Sequence, residues 1–182
     1  MKLYFITGNK FKLEEVKSVI PDVEQIDLDL PEIQELDAKK IIEEKLKEAI
    51  KNNSGEFFCE DTSLYINSMN GLPGPLIKWF LESVGDRGIF DLIERYKDRS
   101  AVAKTVIGYS DGENIAFFEG EVEGDIVSPR GDKTFGWDKI FQPKGSDKTF
   151  GEMTIEEKNG FSMRKKALIR LKDYLNEVKN EQ

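Results

Sequence analysis

Histidine is missing altogether from these 182 residues. Its absence removes His-based zinc sites and Ser-His-Asp triads. Any hydrolysis here must therefore rely on carboxylates, lysines, arginines and a hard metal ion. The one cysteine, Cys59, has no internal partner for a disulfide. It follows Phe57 and Phe58 in an apolar run and reads as a buried, inert thiol, which suits a reducing, cytoplasmic interior. No apolar run approaches the roughly 20 residues that span a bilayer. The segment Met1 to Ile6 is too short for a signal peptide and reads as a strand. Positive charge is in the minority, with 27 Lys+Arg against 35 Asp+Glu and a net charge of −8. Such a chain repels a nucleic-acid backbone, which excludes duplex DNA or RNA as a natural partner. A small anion such as a triphosphate remains admissible, because a local basic pocket and a metal ion override the net field.

The residues present are 38% hydrophobic and 34% charged, enough for a core beneath a well-solvated surface. The length fits one domain over 1–182, or one domain with a small lobe. Leu3 to Ile6 reads as a buried strand. The turn Thr7-Gly8-Asn9 then leads into a helix with Leu13, Val16 and Ile20 on one face, stopped by Pro21. Ile26 to Leu30 alternates apolar residues with Asp and predicts a second strand. Helical spacing returns over 38–51, and Glu56 to Ile66 contains another strand, followed by the turn cluster at 71–75. Short helices are expected around 76–84 and 88–96. Ala101 to Tyr109 and Ile115 to Val127 predict long strands joined through Ser110 to Asn114. Thr154 to Glu157 has the form of a capping box, and a last helix carries Leu168, Leu171, Leu175 and Val178 on one stripe. Helices alternating with strands, then a long hairpin, imply an α/β fold with a mixed sheet.

Four constellations offer chemistry. Thr7-Gly8-Asn9-Lys10-Phe11-Lys12 lies between strand and helix, where close backbone approach and a helix N-terminus favour an anion. It lacks Walker A spacing and could equally be an ordinary turn capped by Asn9. Glu60 and Asp61, read as lying at a strand end, are placed to hold Mg²⁺, and Glu32 could join them; solvated loop acids are the alternative. Phe135-Gly136-Trp137-Asp138 could stack on a base and bond its edge, or form an aromatic mini-core under a loop. Lys158 and the run Ser162-Met163-Arg164-Lys165-Lys166 place bases at a helix N-terminus, against the macrodipole, so a bound anion would help explain them, although a solvated basic turn is the default reading.

Taken in order, TGNKFK (7–12), LPE (30–32), EDTSL (60–64), GLPGPLIKWFLE (71–82), SPRG (128–131), FGWDKIFQP (135–143) and EKNGFSMR (157–164) resemble the inosine triphosphate pyrophosphatase (Ham1-like) family over essentially the whole chain. The GLPGP, KWFLE and FGWD forms look like its archaeal and eukaryotic branch. The resemblance implies an elongated mixed β-sheet with flanking helices, two lobes about a central substrate cleft, and a homodimer. It implies that Thr7, Gly8, Asn9, Lys10, Phe11 and Lys12 line the triphosphate site, with Lys45, Thr62 and Lys78 on phosphate or sugar. Glu32 and Asp61 would bind Mg²⁺ (or Mn²⁺), with Asp61 also the catalytic acid/base. Phe135, Gly136, Trp137, Asp138, Lys158 and Arg164 would shape the base pocket. Met163 stands where the family usually has histidine, which bears on base selectivity.

The expected reaction is attack of an activated water on the α-phosphorus of ITP, dITP or XTP, releasing monophosphate and pyrophosphate. A donor such as Arg164 suits a 6-oxo purine and opposes the 6-amino group of adenine. With only a thioether at Met163, discrimination should be smaller than with histidine, unless Met163 faces the core. The alternatives are a related-fold pyrophosphatase for dTTP or UTP, and a non-catalytic nucleotide-binding module.

Overall fold

A computed structural model of the chain describes residues 2–132 and 136–180, the side chains of 52, 179 and 180 excepted. The described residues form a mixed sheet flanked by helices, with strand order β2-β1-β3-β5-β6-β7 and β4 beside β3. In chain order the elements are β1 (Leu3–Ile6), α1 (Lys10–Val19), β2 (Glu24–Ile26), α2 (Ala38–Asn52), β3 (Glu56–Ile66), β4 (Pro73–Gly74), α3 (Ile77–Ile93), β5 (Ser100–Ser110), β6 (Ile115–Ile126), β7 (Phe141–Pro143), α4 (Ile155–Phe161) and α5 (Met163–Asn180). Two compact units divide the chain, one comprising 1–61, 105–120 and 164–182, the other 62–104 and 121–163.

In the first unit β1 pairs in parallel with both β2 and β3, Phe5 lying opposite Phe58. Strands covered on both faces need apolar residues in succession, and β1, β3 and β5 supply them. Phe5, Phe58 and Ile107 pack with Val16 and Val19 of α1 and Ala167, Leu168, Leu171 and Leu175 of α5. Their neighbours Ile6, Phe57, Cys59 and Val106 pack with Ala38, Ile42, Leu46 and Ala49 of α2. Successive strand residues point to opposite faces, so α1 and α5 cover one side and α2 the other. Gly108 lets α2 sit close, since a Cβ there would fall 2.2 Å from Ile42 Cγ2. Asn9 starts α1 by accepting from the amides of Phe11 and Lys12, and Asp37 starts α2 by accepting from Lys39.

One expected strand is corrected. The alternating run Ile26 to Leu30 is paired only up to Ile26, because β1 ends at Ile6 and the chain turns into α1, leaving no partner edge. Ile26, Leu28 and Leu30 nevertheless pack against the α2-side core, so the alternation reports a one-sided apolar contact without a ladder.

The second unit has its own core of Leu64, Ile66, Ile89, Phe90, Ile93, Phe141, Phe150 and neighbours. Its two expected helices form α3, which breaks at Gly85, where φ is +70°. The three-residue β7, which the sequence does not announce, pairs antiparallel with Gly124–Ile126. Gly124 permits the approach, because a Cβ there would lie 2.4 Å from the Gln142 carbonyl oxygen. The expected capping box is formed: Thr154 accepts from the Glu157 amide, and the Glu157 side chain accepts from the Thr154 amide.

Candidate functional site

Within the first unit, the end of β1 organises the chemistry. Thr7 Oγ1 accepts from the Asn9 amide at 3.1 Å, and the Asn9 side chain in turn caps α1. This fixes Thr7, Gly8 and Asn9 as a turn, with Lys10 and Phe11 exposed and Lys12 half-buried. The sequence reading placed Glu60 and Asp61 at a strand end; in fact they lie inside the eleven-residue β3. The last register pair with β1 is Phe5 with Phe58, so both carboxylates sit just past the carboxyl end of their parallel neighbour. The expectation survives for β1 and fails for β3 itself.

Alternation then separates the two acids. Glu60 follows Phe58 toward α1 and α5, and its side chain is only 2% exposed. Lys12 Nζ lies 2.9 Å from its Oε1, a close ion pair. Arg164 Nε donates to its Oε2 at 2.6 Å, and Arg164 Nη1 donates to Glu15 Oε2. Burial pushes the Glu60 carboxyl up, but Arg164 and Lys12 outweigh it and hold the group at about 2. Burial pulls the Arg164 guanidinium down, and Glu60 and Glu15 reverse that into a rise. The anion that a cationic helix start called for is thus supplied by the chain itself. Sequence reasoning missed this clamp, since Glu60 and Arg164 are 104 positions apart and no local pattern joins them.

Asp61 follows Cys59 onto the α2 side of β3. There Lys45 of α2 pairs with Glu32 at 3.2 Å. The expected convergence of Glu60, Asp61 and Glu32 on one ion is therefore corrected, because Glu60 faces the other way and is committed to two cations. Among the described residues no three acids or thiols gather as a ready-made metal site. The remaining carboxylates, Glu32 and Asp61, are hard oxygen donors, and Mg²⁺ is commonly held by one or two such groups plus substrate phosphates, so the donor chemistry fits. Cys59 is raised to about 12 by burial, which makes it the inert thiol expected.

Within the second unit, Thr62 is half-buried on β3 and Lys78 is exposed at the start of α3, its Nζ 5.7 Å from the Trp79 ring centre. Gly136 is exposed with φ +56°, and Phe135 lies outside the described residues. Trp137 is buried edge-on to Phe141 at 5.3 Å, so it forms the aromatic mini-core that was the alternative to base stacking. Asp138 is buried and pairs with Lys158 at 2.5 Å, while Lys158 also lies over the Phe150 ring. Met163 is 6% exposed and packs in the apolar core with Trp137, Phe150 and Met153. That packing is what the alternative, Met163 facing the core, anticipates: a thioether is a good apolar filler and a poor polar contact.

No described helix is long and apolar enough to cross a membrane. The chain is 43% identical over 183 aligned positions to the inosine triphosphate pyrophosphatase of Schizosaccharomyces pombe, covering 98% of this chain and 97% of that protein. It is 43% identical over 179 positions to the inosine triphosphate pyrophosphatase of Ajellomyces capsulatus, covering 96% of each. The solved Ham1 protein of Staphylococcus aureus shares the fold at a TM-score of 0.83 and 23% identity, covering 98% of this chain and 100% of that one. A nucleoside-triphosphatase, or dITP/XTP pyrophosphatase, from Mycobacterium abscessus gives 0.74 at 28% identity, covering 94% and 98%. Residues 3–174 match the family model itself, and the chain belongs to the Ham1 family.

Proposed function

We propose that this protein hydrolyses inosine- and xanthosine-type nucleoside triphosphates to the monophosphate and pyrophosphate. The reading rests most on the near-full-length 43% identity to proteins named inosine triphosphate pyrophosphatase. In the geometry, its support is the Glu32–Lys45 pair on the sheet face that Asp61 shares. Asp61 takes the proton of a water attacking the α-phosphorus. Lys12, Lys45 and Lys78 meet the charge of the triphosphate and of the leaving pyrophosphate, with Gly8 letting the backbone of the Thr7–Asn9 turn approach it. Mg²⁺ held by Glu32 and Asp61 would neutralise phosphate charge and polarise the reacting phosphoryl group. Arg164 and the Asp138–Lys158 pair address the 6-oxo purine, where the amino group of adenine would face donors with a donor.

The protein works in a reducing cytoplasm as a homodimer. The exposed Trp79, Val84, Leu92 and Tyr96 on and just after α3 support the second point, and light scattering in solution tests it. The decisive experiment is a panel of ITP, dITP, XTP, GTP, ATP, dTTP and UTP with Mg²⁺, scored for pyrophosphate and repeated with chelator. ITP and XTP should lead and chelator should silence them. Orthophosphate plus diphosphate as products, or a lead for dTTP or UTP, would overturn the reading.

A further inference from the structure

Two cations of this chain stand where helix electrostatics disfavours them. Lys12 lies in the first turn of α1 and Arg164 in the first turn of α5, next to the positive ends of both macrodipoles. Glu60 answers both from β3, one oxygen to each, with a side chain almost wholly removed from water. Burying an ionic cluster is an expensive way to stabilise a fold, and an apolar core of the same volume would often do as well. What such a cluster does supply is geometry, because each member is held by charge-assisted contacts in a low dielectric.

We propose that Glu60 is a positioning residue that aims Lys12 at the triphosphate and Arg164 at the base from a single carboxylate, without itself touching the substrate. This rests on the functional reading above, which puts Lys12 and Arg164 on the substrate. Glu60 cannot replace Asp61, since it faces the opposite side of β3. Its work is done through Lys12 and Arg164. Removing its charge leaves Lys12 free to swing toward solvent and costs the substrate an aligned partner.

The test is a double-mutant cycle read by calorimetry, with inorganic tripolyphosphate as the probe and the full chain as the protein. Lys12→Met and Glu60→Gln should each weaken binding by about tenfold or more, the range of a misaligned charged contact. The double variant should bind no more weakly than Lys12→Met alone, because Glu60 acts through Lys12. A merely structural Glu60 would lower affinity by the same factor in both backgrounds, and that result overturns the proposal, as does Glu60→Gln within twofold of the parent. If Glu60→Gln does not fold by circular dichroism, Glu60→Asp replaces it; its smaller loss should likewise vanish in the Lys12→Met background, and persistence there refutes the role. An unchanged affinity in Lys12→Met removes the phosphate role of Lys12 and the proposal with it. A loss in Lys12→Met without one in Glu60→Gln spares the functional reading and removes the positioning role alone.

Discussion

Acid should weaken this protein through Glu60 in a way that can be isolated from every other carboxylate. The group titrates at about 2 when folded, against an ordinary value of 4.5, because Arg164 and Lys12 outweigh the cost of its burial. At about 1.4 kcal/mol per pH unit, that gap makes the ionised form worth about 3 kcal/mol of stability near neutral pH. The folded value lies below the unfolded one, so the folded chain holds fewer protons between the two. The contribution is therefore complete above about pH 4.5 and drains away as pH falls toward 2. Urea unfolding followed by circular dichroism, at steps from pH 6 to pH 2.5, should show the parent more stable than Glu60→Gln by about 3 kcal/mol at pH 6. By pH 2.5 the difference should have shrunk to about 1 kcal/mol, as the linkage relation requires. Other acids titrate in both proteins and cancel in the difference. A gap that stays constant from pH 6 to 2.5 would refute the reasoning, since it would mean that the ion pairs are not what holds the carboxyl down.

Three further outcomes are expected. Asp61→Asn keeps the shape of the side chain but loses its charge, and turnover of ITP should fall at least about a hundredfold with the circular dichroism spectrum unchanged; turnover within a few-fold of the parent would show that the base lies elsewhere. Met163→His puts a polar ring into the core around Trp137 and Phe150, so the urea midpoint should drop by an equivalent of about 2 kcal/mol while the ITP/ATP ratio of kcat/KM stays put; a wider ratio at unchanged stability would place Met163 at the base after all. Gly108→Ala forces a methyl against Ile42 and Leu46 of α2 and should cost about 1 to 3 kcal/mol in denaturant unfolding, a figure that a neutral result would contradict.

Much of the fold was legible because periodicity and caps are local signals. The α5 stripe, the Thr154 capping box and the two long strands β5 and β6 follow from patterns within a dozen residues. The failures are non-local. Ile26 to Leu30 alternates as a strand does, yet pairing depends on where β1 ends, which its own residues do not encode. The short β7 depends on Gly124, some seventeen residues upstream of it, having no side chain. At the site, motifs named Lys12, Asp61 and Arg164 but could not say what each touches. Trp137 and Met163 show the same limit from the apolar side: an aromatic or a thioether in a recurrent motif serves a core as readily as a ligand, and only burial decides.

The adjacent acids of β3 carry this point to mechanism. A motif containing Glu60-Asp61 invites the view of a carboxylate pair acting on one ion, but a strand turns neighbours to opposite faces, so the pair is two devices back to back. Glu60 is spent on Lys12 and Arg164 and stays ionised far below neutral pH. Asp61 stands on the side of Lys45 and Glu32, where, on the proposed function, hard oxygens and a lysine would meet a phosphate without any histidine. The two acids are then not interchangeable, and shifting the register of β3 by one residue would exchange their faces and destroy both functions at once. Long apolar side chains on each side of the strand, Phe57 and Phe58 first among them, resist that slip, so the same packing that builds the core also keeps each carboxylate on its own face of the sheet.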